Sequence, residues 1–108
     1  MMYELRVYTA HAGRMPDLLR RFETAVLPLW EQYAIRQAGF WTALDDASNH
    51  DLSYLIAWES KADRELRWNA FLQDPQWIAA YRASEEAGPL VASMTQAFLQ
   101  PTEFSSVA

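Results

Sequence analysis

Cysteine is absent from this chain, lysine occurs once, at Lys61, and there are three glycines. Without cysteine there is neither a disulfide framework nor a thiolate zinc site, and nothing points to an oxidising compartment. Nine Lys and Arg stand against fourteen Asp and Glu, a net charge of −5. A nucleic-acid footprint, which needs basic residues clustered on one face, is therefore not expected. The few glycines form no phosphate loop, and no serine stands in a nucleophile-elbow context. No apolar run approaches the ~20 residues that span a bilayer, so no membrane contact is expected. The start, MMYELRVYTA, carries Glu4 and Arg6 and lacks the apolar stretch of a signal peptide. The resulting expectation is a soluble, cytoplasmic protein.

What the chain does have is apolar bulk. Its 108 residues are 51% hydrophobic and 14% aromatic, with five tryptophans. A chain of this length buries roughly two-thirds of its extended surface on folding, so one domain over residues 1–108 with a single core is expected. So much large apolar surface exceeds what two short layers need, and points to a partner or a ligand.

Residues 2–9 alternate, with Tyr3, Leu5 and Val7 on one face and Glu4, Arg6 and Tyr8 on the other, which predicts a strand. Gly13 and Pro16 break that pattern. Apolar residues from Leu18 to Tyr33 then recur at spacings of three and four, predicting one long helix to about Arg36 with a kink at Pro28. Gly39 is expected to end it. FWTALDD and LSYLIAWES read as two strands of a hairpin around a polar connection. Ser60 and Asp74 are expected to cap two short helices, the second with Pro75 in its first turn and Trp77, Ile78 and Tyr81 on its buried side. Gly88-Pro89 stops that helix, and LVASMTQAFLQ is a last strand.

The order βαββαβ, with the second helix broken, predicts an α+β ferredoxin-like sandwich: a four-stranded antiparallel sheet with helices on one face. Both faces of its strands are partly apolar. Leu55 and Ala57 oppose Tyr54, Ile56 and Trp58, while Ala97 and Leu99 oppose Met94 and Phe98. Helices cover one face only, so a second copy of the chain is expected on the other, giving a homodimer through the sheet.

Glu4, Arg6 and Tyr8 share a strand face at i, i+2 spacing. Such a set can be a hydrogen-bonding patch in which Arg6 holds an anionic group and Tyr8 donates or accepts a proton. It can equally be an ion pair that fixes register. Trp41, Tyr54 and Trp58 form a strand-borne aromatic set that either stacks on a planar ligand or fills the core. Asn69 falls three residues from both Leu66 and Leu72, which predicts an amide inside an apolar helical stripe, bound to a ligand or to a strand end. Arg64 and Arg67 are placed to pair with Glu59 or Asp63 or to reach across an interface. His11 and His50 fall in loops, His50 in a charge cluster with Asp46 and Asp51, and neither has a partner at metal-ligand spacing. No metal, haem or other cofactor is expected.

YELRVYT near the start, the later AWES and ADR, DPQW and the closing LQPTEFS resemble the NIPSNAP family, in order along nearly the whole chain. The resemblance implies a unit of the dimeric α+β barrel superfamily, whose wider members include cofactor-free oxygenases of polycyclic phenols, small isomerases and cyclases, and haem enzymes. Where family members carry a histidine and a tryptophan on the third strand, this chain has Tyr54 and Ile56. The function expected is that of a small-molecule protein, as a cofactor-independent enzyme of oxygenase or isomerase type, acting on a small aromatic or anionic metabolite between sheet and helices. Arg6 is then the anion anchor and Tyr8 or Tyr54 the proton donor or acceptor, while Trp41, Trp58 and Asn69 shape the site. The alternative is a non-catalytic homodimeric binding or interaction module.

Overall fold

A computed structural model describes residues 1–45 and 50–107. Along the chain run β1 (Met2–Ala10), α1 (Met15–Arg21), a π-helical turn (Phe22–Val26), α2 (Leu27–Gln32), β2 (Arg36–Thr42), β3 (Asp51–Trp58), α3 (Lys61–Leu72), α4 (Pro75–Ser84) and β4 (Val91–Leu99). The four strands form one antiparallel sheet in the order β2-β3-β1-β4. This is the predicted ferredoxin-like arrangement. Asp46, assigned from the sequence to a charge cluster with His50 and Asp51, lies outside the described residues.

The first helical stretch departs from the prediction in two places, each with a local cause. Pro28 has no N–H to offer the preceding turn, and its ring crowds the carbonyl four residues back. The kink expected there takes the form of the π-turn, closed by Leu27 N–H donating to Phe22 C=O. The helix then stops at Gln32, short of Arg36. Ala34 takes the left-handed conformation, φ 55°, while Ala34 N–H bonds Glu31 C=O and Ile35 N–H bonds Trp30 C=O. That pair of bonds is a Schellman closure. It usually has glycine where this chain has alanine, so the sequence hides it. Gly39 consequently ends no helix but sits inside β2, at φ +134°, where the β2–β3 register shifts. A Cβ there would lie 2.5 Å from the ring of Trp41, so only glycine lets that indole fold back over the strand.

Ser60 and Asp74 cap α3 and α4 as expected. Ser60 Oγ accepts from Asp63 N–H, and Asp74 Oδ1 accepts from Gln76 and Trp77 N–H. The buried side of α3 is not the predicted one: Trp68 and Phe71 are buried while Leu66 is 72% exposed. Asn69 lies on that solvent side, exposed, so the apolar stripe assigned to it does not exist. On α4, Ile78 and Tyr81 are exposed rather than buried, and Trp77 is half-buried. Pairing across the sheet decides which strand residues face the helices. Arg6 lies opposite Tyr54 on one side and Gln96 on the other, and Glu4 lies opposite Ile56 and Phe98. Tyr54, Ile56 and Trp58 are sealed beneath the helices. Leu5, Leu55, Ala57, Ala97 and Leu99 share the opposite face, which no helix among the described residues covers.

Candidate functional site

Glu4 is a fully buried carboxylate on the helix-covered face of β1. A charge can stay there only if its lone pairs are filled. Arg6 Nη1 donates to Oε2 at 2.9 Å, and Arg64 on α3 straddles both oxygens with Nε and Nη2 at 3.2 Å. Trp58 Nε1–H adds a bond to Oε1 at 3.1 Å, and Gln96 Nε2–H another to Oε2. Burial by itself would raise this carboxyl, but the hydrogen bonds and charges of Arg64 and Arg6 outweigh it and hold it below its ordinary value. The ion pair weighed from the sequence is therefore real, and larger than the strand alone implies. Arg64 reads Glu4 rather than Glu59 or Asp63, whereas Arg67 does take Asp63.

The remaining donors of Arg6 turn to two phenols. Nε donates to Tyr54 Oη at 2.8 Å and Nη2 to Tyr8 Oη at 3.1 Å. The last contact of Nη2 is the thioether of Met94, at 3.8 Å, a weak acceptor. Burial pulls the Arg6 guanidinium down, yet Tyr54, Tyr8 and Glu4 together leave it above its ordinary value, so it is permanently charged. Burial pushes the Tyr54 phenol well up and Tyr8 pushes it further, against the pull of Arg6. Tyr54 is consequently a neutral hydroxyl at physiological pH. Each phenol oxygen already accepts a guanidinium N–H, and the Tyr54 hydroxyl is hydrogen-bonded to Tyr8, so the O–H left to give is that of Tyr8.

Arg6, Tyr8, Tyr54 and Met94 form the sheet wall of a cavity of about 370 Å³. Phe22 and Trp30 line it from the first helical stretch, Trp68 and Phe71 from α3, and Trp77 and Tyr81 from α4. The Arg6 guanidinium lies 4.9 Å from the Trp68 ring centroid, so the cation is flanked by aromatic faces. Met94 and Tyr81, both more than 40% exposed, put this cavity in touch with solvent. Of that order are the clefts that enclose small organic ligands, mostly apolar with a few placed polar groups.

The residues singled out from the sequence separate into two sets. Arg6, Tyr8 and Tyr54 come together at the cavity wall. Trp58 lies just behind them, holding Glu4, and does not line the cavity. Trp41 pairs with Ser53 on the open face of the sheet and is 52% exposed, so it is not part of an aromatic set with Tyr54 and Trp58. Asn69 is on the solvent side of α3, and neither His11 nor His50 lines the cavity. Arg21, buried against Trp77 and Tyr81, joins the site although it is not among the residues singled out from the sequence. Its signal was available, three residues after Leu18 and beside Phe22 on the apolar stripe. Among the described residues no three His, Cys, Asp or Glu stand close enough to hold a metal ion, and no helix is long and apolar enough to cross a membrane.

Comparison with known proteins matches the NIPSNAP family to residues 3–106. The fold is similar to that of a NIPSNAP domain protein from Burkholderia xenovorans, 27% identical, with 97% of this chain and 98% of that one covered at a TM-score of 0.83. It is also similar to a NIPSNAP family protein of unknown function from Agrobacterium tumefaciens, 20% identical, with 100% and 94% of the two chains covered at a TM-score of 0.86. Further off is a putative antibiotic biosynthesis monooxygenase from Nitrosomonas europaea, 8% identical, with 94% and 98% covered at a TM-score of 0.66. That last likeness is one of fold alone. No curated protein matches the chain.

Proposed function

The chain belongs to the NIPSNAP family, and from that premise we propose that it takes a small planar aromatic anion into the cavity beneath its helices, as a small-molecule protein of the cofactor-independent oxygenase or isomerase type. One observation carries this reading. Arg6 is fixed by Glu4, Tyr54 and Tyr8, yet one N–H of its Nη2 meets only a thioether at the cavity wall. An oxyanion is a far better partner for that N–H than sulfur, and aromatic walls suit a planar ring beside it.

In this proposal Arg6 anchors the anion while the Tyr8 hydroxyl, backed by that of Tyr54, donates to oxygen on the ligand. Trp58 contributes through Glu4, and Trp41 and Asn69 have no part. The chemistry such a wall favours is stabilisation of negative charge on the bound molecule by preorganised donors in a partly dry site. That is the need of a phenolate or enolate whose own reactivity does the rest. The likeness in fold to the putative antibiotic biosynthesis monooxygenase from Nitrosomonas europaea is consistent with this class of reaction.

A thermal-shift panel of planar aromatic carboxylates and phenolates tests the reading. A ligand at 100 times its dissociation constant adds about 2.7 kcal/mol to stability, a shift of several degrees for a domain of this size. Silence across the whole panel defeats it.

The open sheet face supports a second proposal, homodimerisation. Leu5, Leu55, Ala57, Ala97 and Leu99 are carried there with no helix above them. A specific interface buries roughly 1,600 Å² in total, which a four-stranded sheet can supply. Light scattering at micromolar concentration is expected to give twice the 12.5 kDa chain mass. A monomer mass counts against it.

A further inference from the structure

A ladder of aromatic rings joins two arginines across the cavity. From the Arg6 guanidinium it is 4.9 Å to the centroid of Trp68, then 5.3 Å to Phe71 and 5.1 Å to Trp77, which lies 5.6 Å from the guanidinium of Arg21. All five residues line the same cavity. A planar molecule lying along the rings therefore has a cation near each end.

The two ends differ in the charge they show the cavity. At the first, Arg6 and Arg64 share the buried Glu4 and Arg64 also pairs with the half-exposed Glu65 at 3.0 Å, and neither carboxylate lines the cavity, so Arg6 meets it with no acid beside it. At the second, Arg21 Nη1 donates to Glu85 at 3.3 Å and to Ser84 Oγ at 3.1 Å, and the ion pair is neutral. Glu85 also accepts Leu90 N–H at 2.9 Å, which fixes the carboxylate in place. On this side Arg21 Nε is a buried donor with no acceptor among the described residues, and so is Trp30 Nε1, whose ring packs on Tyr54 and Trp68 nearer the first. Buried N–H groups left unpaired are rare in folded proteins, and both belong to residues of the cavity wall.

Resting on the reading of the cavity as an aromatic-anion site, we propose that its ligand carries a neutral oxygen, a hydroxyl or carbonyl, at the end opposite its acidic group. Arg21 reads that oxygen, and Glu85 turns away a second carboxylate. The substrate class is a hydroxy- or keto-substituted aromatic acid rather than a simple aromatic acid or a diacid. The neutral Arg21–Glu85 pair sets this selectivity: it leaves N–H donors on offer but no uncompensated charge to attract an anion.

Calorimetric titration of the full chain with three naphthalene probes decides the matter: naphthoate, the same acid with a hydroxyl on the opposite ring, and the dicarboxylate with its acid groups on opposite rings. The hydroxy acid is expected to bind about tenfold tighter than naphthoate, the gain of one good hydrogen bond to a charged donor, and the diacid no tighter than naphthoate. Glu85→Gln keeps an acceptor for Leu90 N–H and removes the repelling charge. It is expected to raise the ratio of diacid to naphthoate affinity about tenfold. Naphthoate binding with no gain from the hydroxyl overturns this inference and leaves the anion site standing. A diacid that outbinds the hydroxy acid in the unaltered protein overturns it too. No binding by any of the three defeats both readings, and the three-probe comparison decides even if Glu85→Gln does not fold.

Discussion

Arg6 Nε donates to Tyr54 Oη at 2.8 Å across the β1–β3 pairing, binding the cavity wall to the centre of the sheet. Tyr54 in turn stacks on Phe40, centroids 4.8 Å apart, so its phenol is held from two directions. Removing only the hydroxyl, by Tyr54→Phe, keeps the stack and leaves a buried guanidinium N–H unpaired. A loss of about 1–3 kcal/mol is expected in urea denaturation at neutral pH. A loss near zero means the bond is not what fixes Arg6.

The same phenol has an alkaline signature. Its value in the folded chain lies above the ordinary 10.0, so the folded state favours the protonated form. Its contribution to stability is complete below that unfolded value and is lost as pH rises past it. Stability measured from pH about 9 upward is expected to fall less steeply in Tyr54→Phe than in the unaltered chain.

Glu4 behaves in the opposite sense. Arg64 and Arg6 hold its carboxyl below 4.5, so its contribution is present above that value and drains away as pH falls beneath it. Glu4→Gln leaves two guanidiniums sharing a neutral amide inside the fold, and about 3–5 kcal/mol of stability is expected to go at neutral pH. The variant's remaining stability is expected to be flatter in acid. Equal acid sensitivity in both proteins contradicts the assignment.

On α3 the outcome of a mutation depends on which side it falls. Asn69→Ala on the solvent side is expected to change stability by less than about 0.5 kcal/mol and to leave ligand shifts unaltered. Trp68→Ala, one residue away and buried beneath Arg6, is expected to cost about 3–5 kcal/mol. Reversal of that order places the helix the wrong way round.

The open face makes its own prediction. Leu55→Lys puts a charge on the uncovered side of β3, opposite Leu5, and is expected to halve the mass by light scattering without loss of circular dichroism. Unfolding instead of dissociation implies that the face is packed within one chain.

Strand alternation and capping residues made most of this fold legible, because both are local: Ser60 and Asp74 announce their helices, and the parity of Glu4, Arg6 and Tyr8 places them together. What stayed hidden was non-local or atypical. Ala34 closes a helix where glycine is the usual sign, so Arg36 to Gly39 read as helix end rather than strand. Asn69 misled because Leu66 and Leu72 simulate a buried stripe, while the true one begins with Arg64, a residue whose buried role depends on Glu4 sixty positions away. Residue type alone groups Trp41 with Tyr54 and Trp58, but pairing with Ser53 puts it on the other face of the sheet. Arg21 carries no local sign of the partners that bury it, because Trp77 and Tyr81 come from α4, more than fifty residues on.

The claim on which the rest depends is that Arg6 reads an anion rather than merely bracing the sheet. Calorimetric titration of the unaltered protein with naphthoate and with its neutral carboxamide isolates that claim, since the two probes share a ring and differ in charge. The carboxylate is expected to bind at least about tenfold tighter than the amide, with the difference shrinking as salt is raised. Equal affinities, or an amide that binds better, would show that the cavity selects for rings alone and that Arg6 is structural.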